Sequence, residues 1–372
     1  MRNWPDHIDG EPQKQITWKP NSIEMHTQKL LLNTLLNKGS VAILLFIFVW
    51  ALCPKVLAQH VDQFKTQEFQ LITLRNQLEK AQTNSEKKKI IKQIAKTGTF
   101  LGMTTAAKYL NVEGLKKEAA ATIAEIALNH KEYNGGNTRN WLTQAMDILG
   151  GSKKKAILNY LSNEPSEERG FVSLFNCKDL TGWKGLVENP IKRAQMTPEE
   201  LNKAQITADE AMRRDWKVED GLLTYAGSGF DNICTMKQYG DFEMYVDWKL
   251  DPKGNEPDAG IYLRGTPQVQ IWDTSRVNVG AQVGSGGLYN NQKYESKPSQ
   301  VADNTLGEWN SFYIKMVGDR VTVKLNGVTV VDNVVLENYW DRSRPIFPKE
   351  QLELQAHGSR TYFRDVYVKE LW

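Results

Sequence analysis

Apolar positions recur along this chain with two different periods, and the change from one to the other divides it. Over residues 59–165 the spacing is helical. Phe69, Ile72, Leu74 and Leu78 form one amphipathic segment, Ile90, Ile91 and Ile94 a second, and Leu115, Ala119, Ile123, Ile126 and Leu128 a third. Trp141, Leu142, Ala145, Ile148 and Leu149 follow, closed by Gly150 and Gly151, with Ile157, Tyr160 and Leu161 last. Helices alternating with short polar turns suggest an array of the HEAT type, but no repeat is clean. The segment reads as a small all-α N-terminal domain for packing or spacing, followed by a polar linker at residues 163–169.

From residue 166 to residue 372 the period is two. In Phe242–Leu250, the residues Phe242, Met244, Val246, Trp248 and Leu250 point inward and leave Glu243, Tyr245, Asp247 and Lys249 outward. Residues 309–317 and 361–369 alternate in the same way, and Asp220-Gly221 and Asn326-Gly327 are tight-hairpin dipeptides between alternating runs. Residues 258–273, DAGIYLRGTPQVQIWD, read as two short strands around a break at Gly265-Thr266-Pro267. Ile261, Leu263, Val269 and Ile271 share one face, with Tyr262, Arg264, Gln268, Gln270 and Trp272 on the other. Hairpins imply antiparallel pairing, so the C-terminal domain is expected to be an all-β two-sheet sandwich or jelly roll with one outer face free to bind. The insertion at residues 187–214 is expected to place a loop with a short helix beside that face. Gly284-Ser285-Gly286-Gly287 lacks the lysine and the strand-to-helix context of a phosphate loop and reads as a mobile loop over the groove.

The N-terminus adds a targeting signal. Residues 41–52 (VAILLFIFVWAL) are uninterruptedly apolar, preceded by Lys29 and Lys38 and followed by Val56-Leu57-Ala58, a signal-peptidase pattern before Gln59. The run is short for a membrane span, so residues 1–58 are expected to be an N-terminal extension and signal peptide, with translation starting at Met25. The expected location is periplasmic or secreted, with no stable membrane span after cleavage. Removing residues 1–58 lowers the formal charge from +3 to about +1. A near-neutral chain has no reason to seek nucleic acid, and the runs Lys87-Lys88-Lys89 and Lys153-Lys154-Lys155, without interleaved aromatics, read as solvated helix faces. Cys177 and Cys234 remain, and an oxidising compartment would permit a bridge between them. No Cys/His spacing suggests zinc.

The outward sets, if they lie on one curved sheet, gather Glu243, Asp247, Arg264, Gln270, Trp272, Glu353, Gln355 and His357 into a single groove. Carboxylates, an arginine, amides, a tryptophan and the only histidine after residue 130 form a set suited to gripping a sugar. The motifs that carry these residues also resemble a known family. DAGIYLRG, PQVQIWD, GSGGLYNNQ, GEWN, VTVKLNGVTVV and ELQAHG, in this order over roughly residues 170–371, are similar to the 3-keto-disaccharide hydrolase domain. The resemblance implies a concanavalin-like β-sandwich from a bacterial envelope or secretome. The sequence departs from the family's usual pattern at two positions: Gln268 stands where many relatives have a glutamate, and Ala356 where many have an aspartate before the histidine.

The chemistry implied by the resemblance is cleavage of the glycosidic bond in a sugar already oxidised at C3. The ketone acidifies the C2 proton, a base removes it, an enolate forms, the C1 bond breaks by elimination, and water adds. His357 or Glu243 is cast as the base, Arg264 as stabiliser of the developing charge, and Asp247, Tyr262, Gln268, Gln270, Trp272, Asp273, Glu353 and Gln355 as substrate holders. No cofactor is required, although a divalent cation could share the stabilising role. The Glu-x-Asp-x-x-Glu strand of laminarinase-like enzymes is absent, which disfavours conventional retaining hydrolysis. The alternatives are a non-catalytic carbohydrate-binding module and a structural envelope protein, with the helical domain as a protein contact in either.

Overall fold

In the computed structural model, residues 66–165, 170–227, 229–355 and 357–371 are described. The apolar run at 41–52 and the expected cleavage site lie outside them. Among the described residues no helix is long and apolar enough to cross a membrane. Residues 62–372 make one compact unit.

Six helices come first: α1 (Gln67–Lys80), α2 (Asn84–Ala95), α3 (Phe100–Ala107), α4 (Lys116–Asn129), α5 (Gly136–Leu149) and α6 (Gly151–Asn163). Thr83 and Glu86 form a reciprocal capping box at the start of α2, and Thr66 and Thr99 cap α1 and α3. The sequence reading finds all of these except α3. Its sequence, FLGMTTAA, has no polar face to reveal a helical period, because every one of its residues from Phe100 to Ala106 is buried.

The remainder is a two-sheet antiparallel sandwich, as the hairpins and alternation imply. Its strands are β1 (Val172–Ser173), β2 (Trp183–Gly185), β3 (Trp216–Glu219), β4 (Leu222–Tyr225), β5 (Ile233–Thr235), β6 (Phe242–Leu250), β7 (Asp258–Leu263), β8 (Thr266–Trp272), β9 (Asn310–Val317), β10 (Arg320–Leu325), β11 (Val328–Val335), β12 (Glu353–Leu354) and β13 (Thr361–Glu370). One sheet runs β11-β10-β9-β6-β13-β4-β3, with β1 beside β13; the other runs β2-β5-β12-β7-β8. The inward residues of β6 and of the β7–β8 hairpin meet in one core with Phe312, Ile314, Phe363 and Val368. Asp220-Gly221 and Asn326-Gly327 adopt positive φ at both positions (50° and 74°, 52° and 81°), the conformation that matches the twist of paired strands.

The six helices cover the outer face of the larger sheet. Phe100 stacks on Phe171 at 4.5 Å and meets Tyr245 and Tyr367, whose rings stand on the outward side of β6 and β13. An ionic cluster adjoins this aromatic one. Arg75, buried on α1, bonds both oxygens of Asp247 and reaches Asp365 at 2.8 Å, while Lys108 approaches Asp365 at 2.6 Å and Arg364 approaches Asp247 at 3.2 Å. A bulge between Arg364 and Tyr367, with Asp365 at φ 50°, carries the extra residue of this cluster. Arg364 also lies 3.9 Å over the Trp309 ring.

The insertion after β2 is more ordered than a loop. It forms α7 (Pro190–Arg193) and α8 (Pro198–Asp215), an eighteen-residue helix started by Pro198 and a Thr197/Glu200 capping box. α8 packs so closely on β2 that a Cβ at Gly185 would lie 2.0 Å from the carbonyl oxygen of Ala208. Cys177 is exposed and Cys234 buried, and both are free thiols.

Candidate functional site

The outer face of the smaller sheet carries the candidate site. Cross-strand pairing places Lys184, Cys234, Glu353 and Tyr262 in one row across β2, β5, β12 and β7. The next row brings Gln355, whose N–H donates to Gly260 (2.9 Å), beside Gly260 and its β8 partner Gln270; a third pairs Asp258 with Trp272. Because alternation is strict along β7 and β8, each row shows its polar side chains away from the core.

The floor of this face is a directed chain of amides. Gln268 donates through Nε2 to Gln270 Oε1, and Gln270 Nε2 donates to Asp258 Oδ1 at 2.7 Å. The other carboxylate oxygen of Asp258 faces the Arg276 guanidinium at 3.6 Å. Asp258, Gln268 and Gln270 are all buried, so the charge of Asp258 fixes which way both amides point. Gly260 makes the room: a Cβ there would come within 2.9 Å of Gln268 Cδ and of Gln355 Oε1. Gly260→Ala is therefore expected to displace two flexible amide side chains at a cost of no more than about 1–3 kcal/mol. Turnover is expected to fall about 100-fold through misplacement. Gly240→Ala, whose Cβ would meet nothing nearer than 3.5 Å, is the control; equal kinetics for the two variants would refute the importance of this floor.

Glu353 is the electrostatic centre of the face. It is only 2% exposed, and its Oε2 is buried without a hydrogen-bond partner. Burial pushes its pKa up to about 8, with Glu350 adding to the rise and Arg193 and a bond from Asn232 opposing it. Arg193 is held by Glu350 at 2.9 Å and Gln351 at 3.0 Å, and so offers no direct neutralising bond to Glu353. The neighbouring Cys234 thiol is pushed up to about 12, first by burial and then by Glu353, which leaves it protonated and unreactive at neutral pH. Burial therefore holds this carboxyl in its protonated form at neutral pH.

Aromatic side chains border the face. Phe230, 46% exposed, meets the His357 ring edge-on at 5.3 Å; Tyr289, 51% exposed, meets Trp272 edge-on at 5.5 Å. The glycine-rich run is no mobile lid. Gly286 donates to Gln270 O (2.8 Å), Gly287 O accepts from Gln270 (3.0 Å) and Tyr289 donates to Gln268 O (3.2 Å), so the segment extends the sheet beyond β8.

Residues 170–369, more than half of the chain, match the 3-keto-alpha-glucoside-1,2-lyase-like domain. The chain belongs to that family. The resemblance of its motifs to the 3-keto-disaccharide hydrolases is thereby confirmed, and this lyase-like domain is carbohydrate-active. No curated protein matches. Two solved structures from Parabacteroides distasonis ATCC 8503, both described as candidate glycosyl hydrolases, are similar to it. One has 24% identity and a TM-score of 0.39, covering 55% of this chain and 94% of its own; the other has 21% identity and 0.38, covering 54% and 99%. A carbohydrate binding module from Bacillus subtilis has 11% identity and a TM-score of 0.31, covering 51% of this chain and 96% of its own.

In this lyase-like domain the expected site residues separate into groups. Tyr262, Gln268, Gln270, Trp272, Glu353 and Gln355 come together on the smaller sheet, with His357 just past the end of β12. Glu243 and Asp247 do not join them, because β6 belongs to the other sheet and its outward face is under the helices. Asp247 is a structural ion-pair partner of Arg75, and Glu243 lies 3.9 Å from Lys315. Arg264 also leaves the groove. It occupies the β7–β8 turn at φ 49°, followed by Gly265 at 68°, and its guanidinium is spent on the carbonyls of Pro348 (3.2 Å) and Gly318. The strand resumes at Thr266, so the expected break is only a two-residue turn. Asp273 closes a turn by accepting from Ser275 N (3.0 Å) and Oγ (2.8 Å). Trp272 is itself only 9% exposed and supports Tyr289 from behind.

Sequence reasoning missed Asp258, Arg276, Phe230 and Tyr289. Asp258 was legible, since it stands two residues before Gly260 on the same alternating face. The other three lie in loops, where no period assigns a direction. Among the described residues no three His, Cys, Asp or Glu side chains converge on a metal position, and the Asp258 carboxylate is already taken by Gln270 and Arg276.

Proposed function

We propose that this chain is an exported hydrolase that cleaves the glycosidic bond of 3-keto-glycosides by elimination followed by hydration. The observation that carries the reading is the buried, protonated Glu353 on the same polar face as Gln268, Gln270 and Gln355, with His357 at its edge. In this reading His357 takes the proton from C2 of the 3-keto sugar, and the electron pair of that bond forms the enolate. The enolate collapses to the 1,2-unsaturated 3-ketone as the C1–O bond breaks, and Glu353 gives its proton to the departing oxygen. Water then adds across the new double bond: its hydroxyl goes to C1 and its proton to Glu353, while His357 returns the abstracted proton to C2, so both groups are restored. The amides of Gln268, Gln270 and Gln355 hold the ring hydroxyls, and Arg276 takes the charge-stabilising role first cast for Arg264.

The test is release of 3-keto-sugar from oxidised glycosides against their unoxidised parents, in wild type and His357→Ala. Release confined to oxidised substrates and lost by a factor of about 10²–10⁴ in the variant is expected. Saturable sugar binding without any release, unaffected in His357→Ala, would replace this reading by a binding module.

A further inference from the structure

The helices carry a cleft of their own, to which no strand contributes. The cavities between the helices and the larger sheet, beside Tyr245 and beside Arg75, measure about 20 and 10 Å³, room for a single water. The cleft among α2, α4 and the start of α6 measures about 330 Å³, within the roughly 300–1,000 Å³ of small-ligand sites. Ala95 and Ala121 leave the space because their side chains are short. Thr122 at its floor is buried and donates to Ile91 O (3.1 Å), which ties α4 to α2 and fixes the width.

The charge in this cleft is unbalanced. Lys92 and Lys96 at the end of α2, Lys117 of α4 and Lys153 of α6 line it against Glu118 and Glu125, a formal excess of two positive charges. Lys92 reaches Glu118 at 3.7 Å, whereas Lys96, Lys117 and Lys153 make no ion pair with any described residue. Lys117 and Lys153 also stand in the first turns of their helices, where the helix dipole disfavours cations. Neither helix has a side-chain cap, and α6 has no acidic residue in that turn. Cations placed against the dipole and beside one another, with no partner in the protein, break a local rule in the way that binding sites do.

The lining also defines the ligand. An excess of two positive charges matches a phosphate monoester, which carries about −1.5 to −2 at neutral pH, better than it matches a single carboxylate. Lysine ammonium groups hold phosphate as point charges. The Glu125 carboxylate pairs with no described cation and is an acceptor for hydroxyls. No aromatic ring is among the described lining residues, so a nucleobase has nothing to stack on, and the two glutamates repel a polyanion. Leu149 is the one large apolar residue among them, too little to receive an acyl chain.

We infer that this cleft binds a phosphorylated sugar, its phosphate held by the unpaired lysines and its hydroxyls by Glu125. The inference is independent of the hydrolase reading, and either can fail alone. The experiment is calorimetric titration of the full chain with glucose 6-phosphate, glucose 1-phosphate, glucose and inorganic phosphate, in wild type, Lys117→Gln, Lys153→Gln and Lys155→Gln. Lys155 belongs to the same run as Lys153 but lies outside the cleft. One of the two esters is expected to bind at a single site, about tenfold more tightly than inorganic phosphate, with no binding of glucose. Lys117→Gln and Lys153→Gln should each weaken it about tenfold, the scale of one lost charge-assisted bond, and Lys155→Gln should stay within about twofold. Equal weakening in all three variants would reduce the cleft to a diffuse field of surface lysines and overturn the inference. Inorganic phosphate binding as tightly as the esters would overturn the sugar, and failure of both esters to bind would overturn the site. Cosedimentation with phosphatidylglycerol vesicles without binding of either ester would assign the lysines to a membrane surface instead.

Discussion

Glu353→Gln is expected to stabilise the protein at pH 9 and to disable it at every pH. The carboxyl has a folded pKa of about 8 against about 4.5 in the unfolded chain. Below pH 4.5 both states hold the proton, and the group contributes no pH dependence. Between 4.5 and 8 the unfolded state releases it while the folded state keeps it, so wild-type stability falls as pH rises through this window. Above 8 both states are ionised and the loss levels off. Glutamine keeps the shape and cannot titrate, so the variant should gain on wild type steadily from pH 4.5 to 8, by as much as about 5 kcal/mol if the whole shift is realised. Melting temperatures across pH 4–9 read this directly. Parallel curves for the two proteins would mean that Glu353 is ionised in the folded state. The same substitution removes the proton given to the leaving oxygen, and kcat should fall about 10²–10⁴-fold. Wild-type turnover should decline as pH rises through about 8 as this proton is lost. A variant that keeps both the pH–rate profile and kcat of wild type would take Glu353 out of the chemistry.

Arg75→Ala is expected to have the largest effect on stability, about 3–5 kcal/mol, since it leaves two buried carboxylates without their principal cation. Asp247 and Asp365 are 1% and 9% exposed, and burial alone would raise Asp365, which Lys108, Arg75 and Arg364 together reverse and hold well below the usual carboxylate range. Arg75→Lys should avoid only part of the loss, because one ammonium cannot bond both carboxylates as the guanidinium does. The kinetic constants of the folded fraction should be unchanged in Asp247→Asn, although its melting temperature falls. A drop in kcat at full folding would return Asp247 to the catalytic site from which its sheet separates it.

The strands of this domain were legible because each carries its own evidence. The alternation of Phe242–Leu250 gives its boundaries to the residue, and Asp-Gly and Asn-Gly dipeptides give the hairpins. The smaller sheet's polar row was legible for the same reason, through Gln268, Gln270, Glu353 and Gln355. The helix at Phe100–Ala107 was not, since burial on all sides erases the period that marks a helix.

What the sequence by itself determined, then, is the division into helices and strands, the inward face of each strand and the family. What only the tertiary structure decided is which outward face remains for a ligand. The outward row Glu243, Tyr245, Asp247 has the same polar, aromatic character as Tyr262, Gln268, Gln270, and a period of two says nothing about what lies above it. The answer depends on Arg75, 172 positions from Asp247 along the chain, and on Phe100, which bring the helices down on one sheet and not on the other. The acidity of Glu353 has the same origin: neighbours distant in sequence exclude water from its carboxyl, and desolvation is a property of the folded surroundings, with no trace in the residue's own local pattern.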